Sequence, residues 1–216
     1  IWRGVAIEFR SKEPGTTWRM IWDFIYSFAS IVISLSLGLM LGNVALGLPL
    51  SEQHDFIGDW LSFFNPFSIM VAITTLALFM LHGAIYLAMK TENRLYTKMT
   101  LLAKSFTVFF VVALGLTTLY TLLYIPHLSD RIRSSSQYFI LPVIMFLAIA
   151  NIPRQLNKGK YFNAFISSAV TIASLLAMVA IEVFPYLLYA TNDARNSITV
   201  ENAASSLKTM NTLLLI

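Results

Sequence analysis

Residues 20–42 read MIWDFIYSFASIVISLSLGLMLG, a run in which Asp23 is the one charged side chain. A helix of that length covers about 35 Å, enough for the roughly 30 Å hydrocarbon core of a bilayer. Lipid offers nothing to bond a free backbone N–H or C=O, so a run of this kind is a helix. Four more runs follow, at about Pro66 to Met89, Leu101 to Ile125, Tyr138 to Ile152 and Tyr161 to Tyr189, and a sixth begins near Ser205 and is cut off inside TMNTLLLI. The fourth run is short and the fifth long, which predicts tilt or mismatch there. No strand pattern is visible. The fold class is therefore an all-α polytopic membrane protein, a helical bundle of about five complete transmembrane helices (20–42, 66–89, 101–125, 138–152, 161–189) plus a truncated sixth (205–216), in one transmembrane domain over residues 1–216. With no initiator Met at its start, the chain reads as a piece of a longer protein.

Composition agrees. The chain is 57% hydrophobic and 12% charged, with a mean hydropathy of +0.70, against about a quarter charged in soluble domains. It has no Cys, which excludes a disulfide framework, a Cys metal site and thiol chemistry. The net charge of +4 is not a nucleic-acid footprint, because Lys and Arg flank apolar runs instead of forming one basic face.

Their placement gives a topology. Arg3, Arg10, Lys12, Arg19, then Lys90, Arg94, Lys98, Lys104, then Arg154, Lys158 and Lys160 fall on one side, and Arg131, Arg133, Arg195 and Lys208 on the other. Eleven against four is a positive-inside bias that predicts basic loops at about 1–19, 90–104 and 153–160 in the cytoplasm. Trp2, Trp18 and Trp22 at one interface and Trp60 at the other match aromatic belts.

Two patterns speak of packing. Ser30, Ser34, Gly38 and Gly42 recur every four residues on the first run, a stripe small enough for a close neighbour. Asn65-Pro66 reads as an N-cap followed by Pro at the first helical position.

Ionisable groups within membrane spans are functional candidates by default. Asp23, one turn after Arg19, is expected to form an interfacial ion pair, with a proton site as the alternative. His82 is a candidate haem ligand or proton relay, set against a histidine hydrogen-bonded inside the bundle. Glu182 precedes Pro185, which would free the carbonyl of Ile181, so a proton path competes with a paired or protonated structural carboxyl. His54 and His127 fall in outside loops and are expected to be solvated. There is no HExxH, GxGxxG, P-loop or nucleophile-elbow pattern. Catalytic and metal-ligating residues are therefore expected to be absent.

The stretch before the first run is unusually charged. It reads WRGVAIEFR (Trp2 to Arg10), a basic loop, and then Trp18-Arg19-Met20-Ile21-Trp22-Asp23. This order of residue types resembles the loop between the third and fourth helices of the cytochrome bd quinol oxidase subunit II family, with Ile7 where an aromatic is usual. The likeness continues through Gly42, Asn43, Gly47 and Pro49, through FFNPF (Phe63 to Phe67), and through HGAIYLAMKTE (His82 to Glu92), where the family commonly has Gln or a similar residue at His82. It extends to the loop Phe184 to Ser206 with Asn202-Ala203, although Glu182 and the run Tyr186 to Thr191 depart from the pattern.

The resemblance implies a fragment of a nine-helix subunit running from the end of the third helix to the start of the ninth. It implies a bacterial cytoplasmic (inner) membrane location and pairing with cytochrome bd subunit I as a heterodimer, with room for a small accessory subunit. In such a complex quinol is oxidised, O2 is reduced to water and a proton gradient forms, with haem b and haem d held by the partner. On this chain it implies walls, lipid contacts and quinone contacts. Arg3, Glu8 and Arg10, crowded near a helix end, are then either a salt-bridge cluster closing the fold or part of a quinone, lipid or proton contact. The rival readings are a secondary transporter or channel, and a purely structural membrane subunit.

Overall fold

A computed structural model describes residues 1–125, 128, 136–205 and 207–214. Arg131, Arg133 and His127 lie outside the described residues, as do parts of the sixth run. Five helices are long and apolar enough to cross a membrane: Thr16–Leu46, Pro66–Lys90, Asn93–Tyr124, Gln137–Asn157 and Tyr161–Val183. The chain is a multi-pass membrane protein.

A short helix α1 (Trp2–Phe9) precedes α2 (Thr16–Leu46), followed by α3 (Pro66–Lys90), α4 (Asn93–Tyr124), α5 (Ile140–Asn157), α6 (Tyr161–Val183) and α7 (Leu207–Leu214). Several bounds differ from those read in the sequence, for physical reasons. The α2 and α4 helices run well beyond their apolar runs, because long Arg and Lys side chains on a helix end reach water while the backbone stays helical. Most of the basic stretch 90–104 is therefore the first turns of α4, and only Thr91 and Glu92 separate it from α3. The α5 helix begins with a 3-10 turn, Ser136–Phe139, and carries Pro153 inside its last turns. The fifth crossing stops at Val183, before Pro185. Two short antiparallel strands, β1 (Tyr186–Leu188) and β2 (Ile198–Thr199), follow, pairing Tyr186 with Thr199 and Leu188 with Ile198. The expectation of no strand is corrected there, because this segment stands outside the bundle and bonds its own backbone.

The α3 helix is central, packed against α2, α4 and α6, with α5 reaching the bundle mainly through α6. Small side chains allow this. Ala77, Ala84, Ala103, Ala113 and Ala164 alternate with Leu81, Ile85, Phe110, Met145 and Ile152 in one buried cluster. Without a hydrophobic drive between helices in lipid, such close dispersion contact is what associates them. Gly38 and Gly42 meet α3 most tightly. A Cβ on Gly38 would stand 2.5 Å from the Cα of Ala72, and one on Gly42 2.7 Å from the Cα of Ser68. Ser30 and Ser34, half-buried on the same stripe, donate to the carbonyls of Tyr26 and Ser30.

At the end of the bundle opposite α1, the loop after α2 and the loop after α6 are joined. Gly47 turns the chain at φ 86°; a Cβ there would stand 2.6 Å from the Tyr189 carbonyl oxygen. The Leu48 N–H donates to Tyr189 and the Thr191 N–H to Leu48 (2.9 and 3.1 Å). Asn192 holds both backbone groups of Leu50, accepting from its N–H at 3.0 Å and donating to its carbonyl at 2.8 Å.

Candidate functional site

The α6 sequence places Ser167, Ser168, Thr171 and Ser174 on one buried stripe. In lipid each hydroxyl needs a partner inside the protein. Ser168 donates to the Phe165 carbonyl at 2.8 Å, and its oxygen lies 2.7 Å from Nδ1 of His82 on α3. Since the serine hydrogen is already spent, the pairing has His82 donating from Nδ1–H, which leaves Nε2 as the ring's second polar atom. The ring lies against Phe165 with centroids 4.5 Å apart. No described residue hydrogen-bonds Nε2.

One residue back on α6, Ser167 ties in α5. Asn151 donates to the Ser167 hydroxyl at 2.8 Å and Gln155 donates to Asn151 at 2.9 Å. Gln155 Oε1 is buried with no hydrogen-bond partner. On the other flank of α3, Thr74 and Thr117 join α3 to α4 at 2.8 Å. A polar seam thus crosses the bundle through α5, α6 and α3, ending at His82, a group able to accept or release a proton.

The charged stretch at the start is arranged otherwise than its spacing suggests. Arg10 grips Asp23 through Nε and a terminal nitrogen, at 2.5 and 3.2 Å. The Arg19–Asp23 pair expected from one-turn spacing is absent among the described residues, because the turn Ser11 to Gly15 folds α1 back on α2 and brings the guanidinium of Arg10 to the carboxylate first. The Asp23 carboxylate holds the Arg10 guanidinium above its ordinary range through that hydrogen bond. Arg3 lies over the Tyr26 ring, 5.4 Å from its centroid. Glu8 is paired with neither arginine. On a helix a spacing of five residues turns Glu8 about 140° from Arg3, and Arg10 is taken by Asp23. The three residues do not form one cluster. Trp18 Nε1 donates to the Phe9 carbonyl at 2.8 Å, and Trp22 packs on both Phe9 and Trp18.

Glu182 is half-buried in the last turn of α6. Pro185 lies just beyond the helix, where it has no N–H to offer the Ile181 carbonyl; the Phe184 N–H reaches Ala180. His54, expected to be solvated, is exposed but bonded through Nδ1 to the Asn196 carbonyl at 2.9 Å. No group of three or more His, Cys, Asp or Glu able to hold a metal occurs among the described residues.

Sequence reasoning missed Ser168, Asn151 and Gln155. Their signal was present: Asn151 and Gln155 one turn apart, and a run of hydroxyls at helical spacing within an apolar span.

A family model described as "Cytochrome bd terminal oxidase subunit II" matches residues 1–216. Among curated relatives, "Cytochrome bd ubiquinol oxidase subunit 2" of Bacillus subtilis (strain 168) is 26% identical over 212 residues, 96% of this chain and 62% of that protein. "Probable cytochrome oxidase subunit 2" of Haemophilus influenzae is 24% identical, covering 99% of this chain and 64% of its own. "Cytochrome bd-I ubiquinol oxidase subunit 2" of Escherichia coli (strain K12) is 22% identical, at 98% and 64%. The chain thus spans somewhat under two thirds of each. A chain of the bd oxidase from Geobacillus thermodenitrificans shares the fold, with a TM-score of 0.78 at 20% identity over 99% of this chain and 63% of that one.

Proposed function

The chain belongs to the cytochrome bd terminal oxidase subunit II family, and on that footing we propose that it serves a cytochrome bd-type oxidase as the non-haem-ligating subunit. The complex oxidises quinol, reduces O2 to water and builds a proton gradient across a bacterial cytoplasmic membrane. The observation that carries this reading is the family match along all 216 residues, which favours it over a transporter or channel. Residues 1–216 act as one transmembrane domain, with the basic ends at about 1–19, 90–104 and 153–160 in the cytoplasm.

Haem b and haem d would supply the redox chemistry of the complex, and the described residues of this chain do not fit either group. Axial ligation needs an imidazole, thioether or thiolate with an open face of macrocycle size before it. His82 is the one histidine in the five described crossings, and its ring packs on Phe165 inside the bundle with centroids 4.5 Å apart. We therefore assign the haems to subunit I. This chain contributes bundle walls, a fold-closing anchor in Arg10 and Asp23, and a polar seam ending at His82. Quinone or lipid contacts fall to its exposed helix faces, and a proton-path role to Glu182.

The test is quinol-driven oxygen uptake by the complex purified through a tag on the full-length chain. Uptake that co-purifies with the chain is expected. Preparations rich in the chain that consume no oxygen with quinol would overturn the reading.

A further inference from the structure

The basic end of the bundle holds a feature that neither the haem chemistry nor the polar seam uses. An open cleft of ≈ 590 Å³ lies between the end of α3, the start of α4 and the turn from α5 into α6, with Thr91, Tyr96, Lys160, Tyr161, Phe162 and Asn163 among its lining residues. Since α3 and α6 are crossings that end and begin here, the cleft stands at the level of the membrane surface. Lys90, Arg94, Lys98, Arg154 and Lys158 lie on the same end of the helices.

The hydroxyls of the cleft leave a donor over. Thr100 donates to the Tyr161 oxygen at 3.2 Å, and the Tyr96 and Tyr161 oxygens share one hydrogen at 2.8 Å. Three hydroxyl hydrogens thus serve two bonds, and whichever tyrosine donates to the other, one phenolic hydrogen is unspent. The two rings meet edge to face with centroids 5.4 Å apart, which holds the two hydroxyl oxygens together at the cleft. Lining the same cleft are Lys160, exposed, and Phe162, 63% exposed. A cation and a hydroxyl donor ask for an anionic oxygen; the apolar side chain next to them asks for a hydrocarbon chain.

We propose that this cleft binds the phosphate headgroup of an anionic phospholipid, with Lys160 and the Tyr96–Tyr161 pair on the phosphate and Phe162 against the first acyl carbons. Basic pockets between transmembrane helices at a cytoplasmic surface suit such headgroups, and free inorganic phosphate would have no use for Phe162.

The experiment uses the complex containing the full-length chain, stripped of lipid in mild detergent and titrated with dioleoylphosphatidylglycerol, dioleoylphosphatidylcholine or inorganic phosphate, with bound lipid counted by native mass spectrometry. Lys160→Gln is the variant, chosen because the exposed side chain leaves packing alone. Its melting temperature is measured alongside. Removing one basic group near the surface is expected to weaken the phosphatidylglycerol bound at this cleft about fivefold, while phosphatidylcholine binding is equal in both proteins and phosphate does not displace the lipid. Equal phosphatidylglycerol binding by Lys160→Gln and the parent would overturn the proposal. Displacement of the lipid by phosphate at equal concentration would also overturn it, in favour of a free-anion site.

Discussion

Asn43, in the last turn of α2, and Asn65, which caps α3, are hydrogen-bonded to each other: Asn65 donates to Asn43 Oδ1 at 3.0 Å. Each also holds backbone. Asn43 donates to the Leu39 and Phe63 carbonyls, and Asn65 Oδ1 accepts from the Ser68 N–H. Two amides thus fix where one crossing ends and the next begins.

Because Asn43 is only 3% exposed, Asn43→Ala leaves buried groups unpaired and should cost about 1–3 kcal/mol. Asn65→Ala, losing the cap, should cost about 1 kcal/mol. The double variant should cost less than the sum, since both remove the same bond. Unfolding in mixed micelles measures all three.

Close approach of α2 to α3 predicts a contrast between glycines. Gly38→Ala drives a Cβ into the Ala72 backbone and should destabilise by about 1–3 kcal/mol. Gly115→Ala on α4 meets nothing within 4 Å and should leave stability unchanged or slightly raised. The same micelle assay reads both.

The Arg10–Asp23 pair is half-exposed, so its loss should barely move the stability of the crossings. It should release α1 instead. Asp23→Asn is expected to speed protease cleavage within Ser11 to Gly15 while the melting temperature holds. Equal cleavage rates would show that the aromatic contacts of Phe9, Trp18 and Trp22 anchor α1 unaided.

In the loop after α6, hydrogen bonds from the Arg195 side chain and then its N–H hold the Asp193 carboxyl below the usual carboxylate range. A lowered folded value means the contribution is complete above the unfolded value near 3.8 and is lost as pH falls through the folded one. Arg195→Ala should move the Asp193 titration up toward 3.8, read by carbon NMR of a labelled carboxyl. An unmoved midpoint would contradict the pairing.

Legibility in the sequence followed range. The five crossings, the cap at Asn65-Pro66 and the small stripe around Gly38 depend on neighbours a few residues apart, and periodicity reports those. The ends of α2 and α4 were read short because charge marks the membrane surface, whereas a helix continues past it while its side chains reach water. The links of Leu50 to Asn192 and of His54 to Asn196 each join residues 142 apart, and no local pattern carries that. Arg10 finding Asp23 instead of Glu8 depends on the fold-back of α1, a tertiary fact. His82 was visible as a candidate, but its partner was one hydroxyl among many on α6.

The most direct test of the account is the reduced-minus-oxidised visible spectrum of the complex purified through the full-length chain, as the parent and as His82→Phe. Bands of b- and d-type haem are expected in both, at the same positions and in the same ratio to protein. A colourless parent preparation would contradict the oxidase reading. Loss of a haem band in His82→Phe alone would contradict the assignment of every haem to the partner.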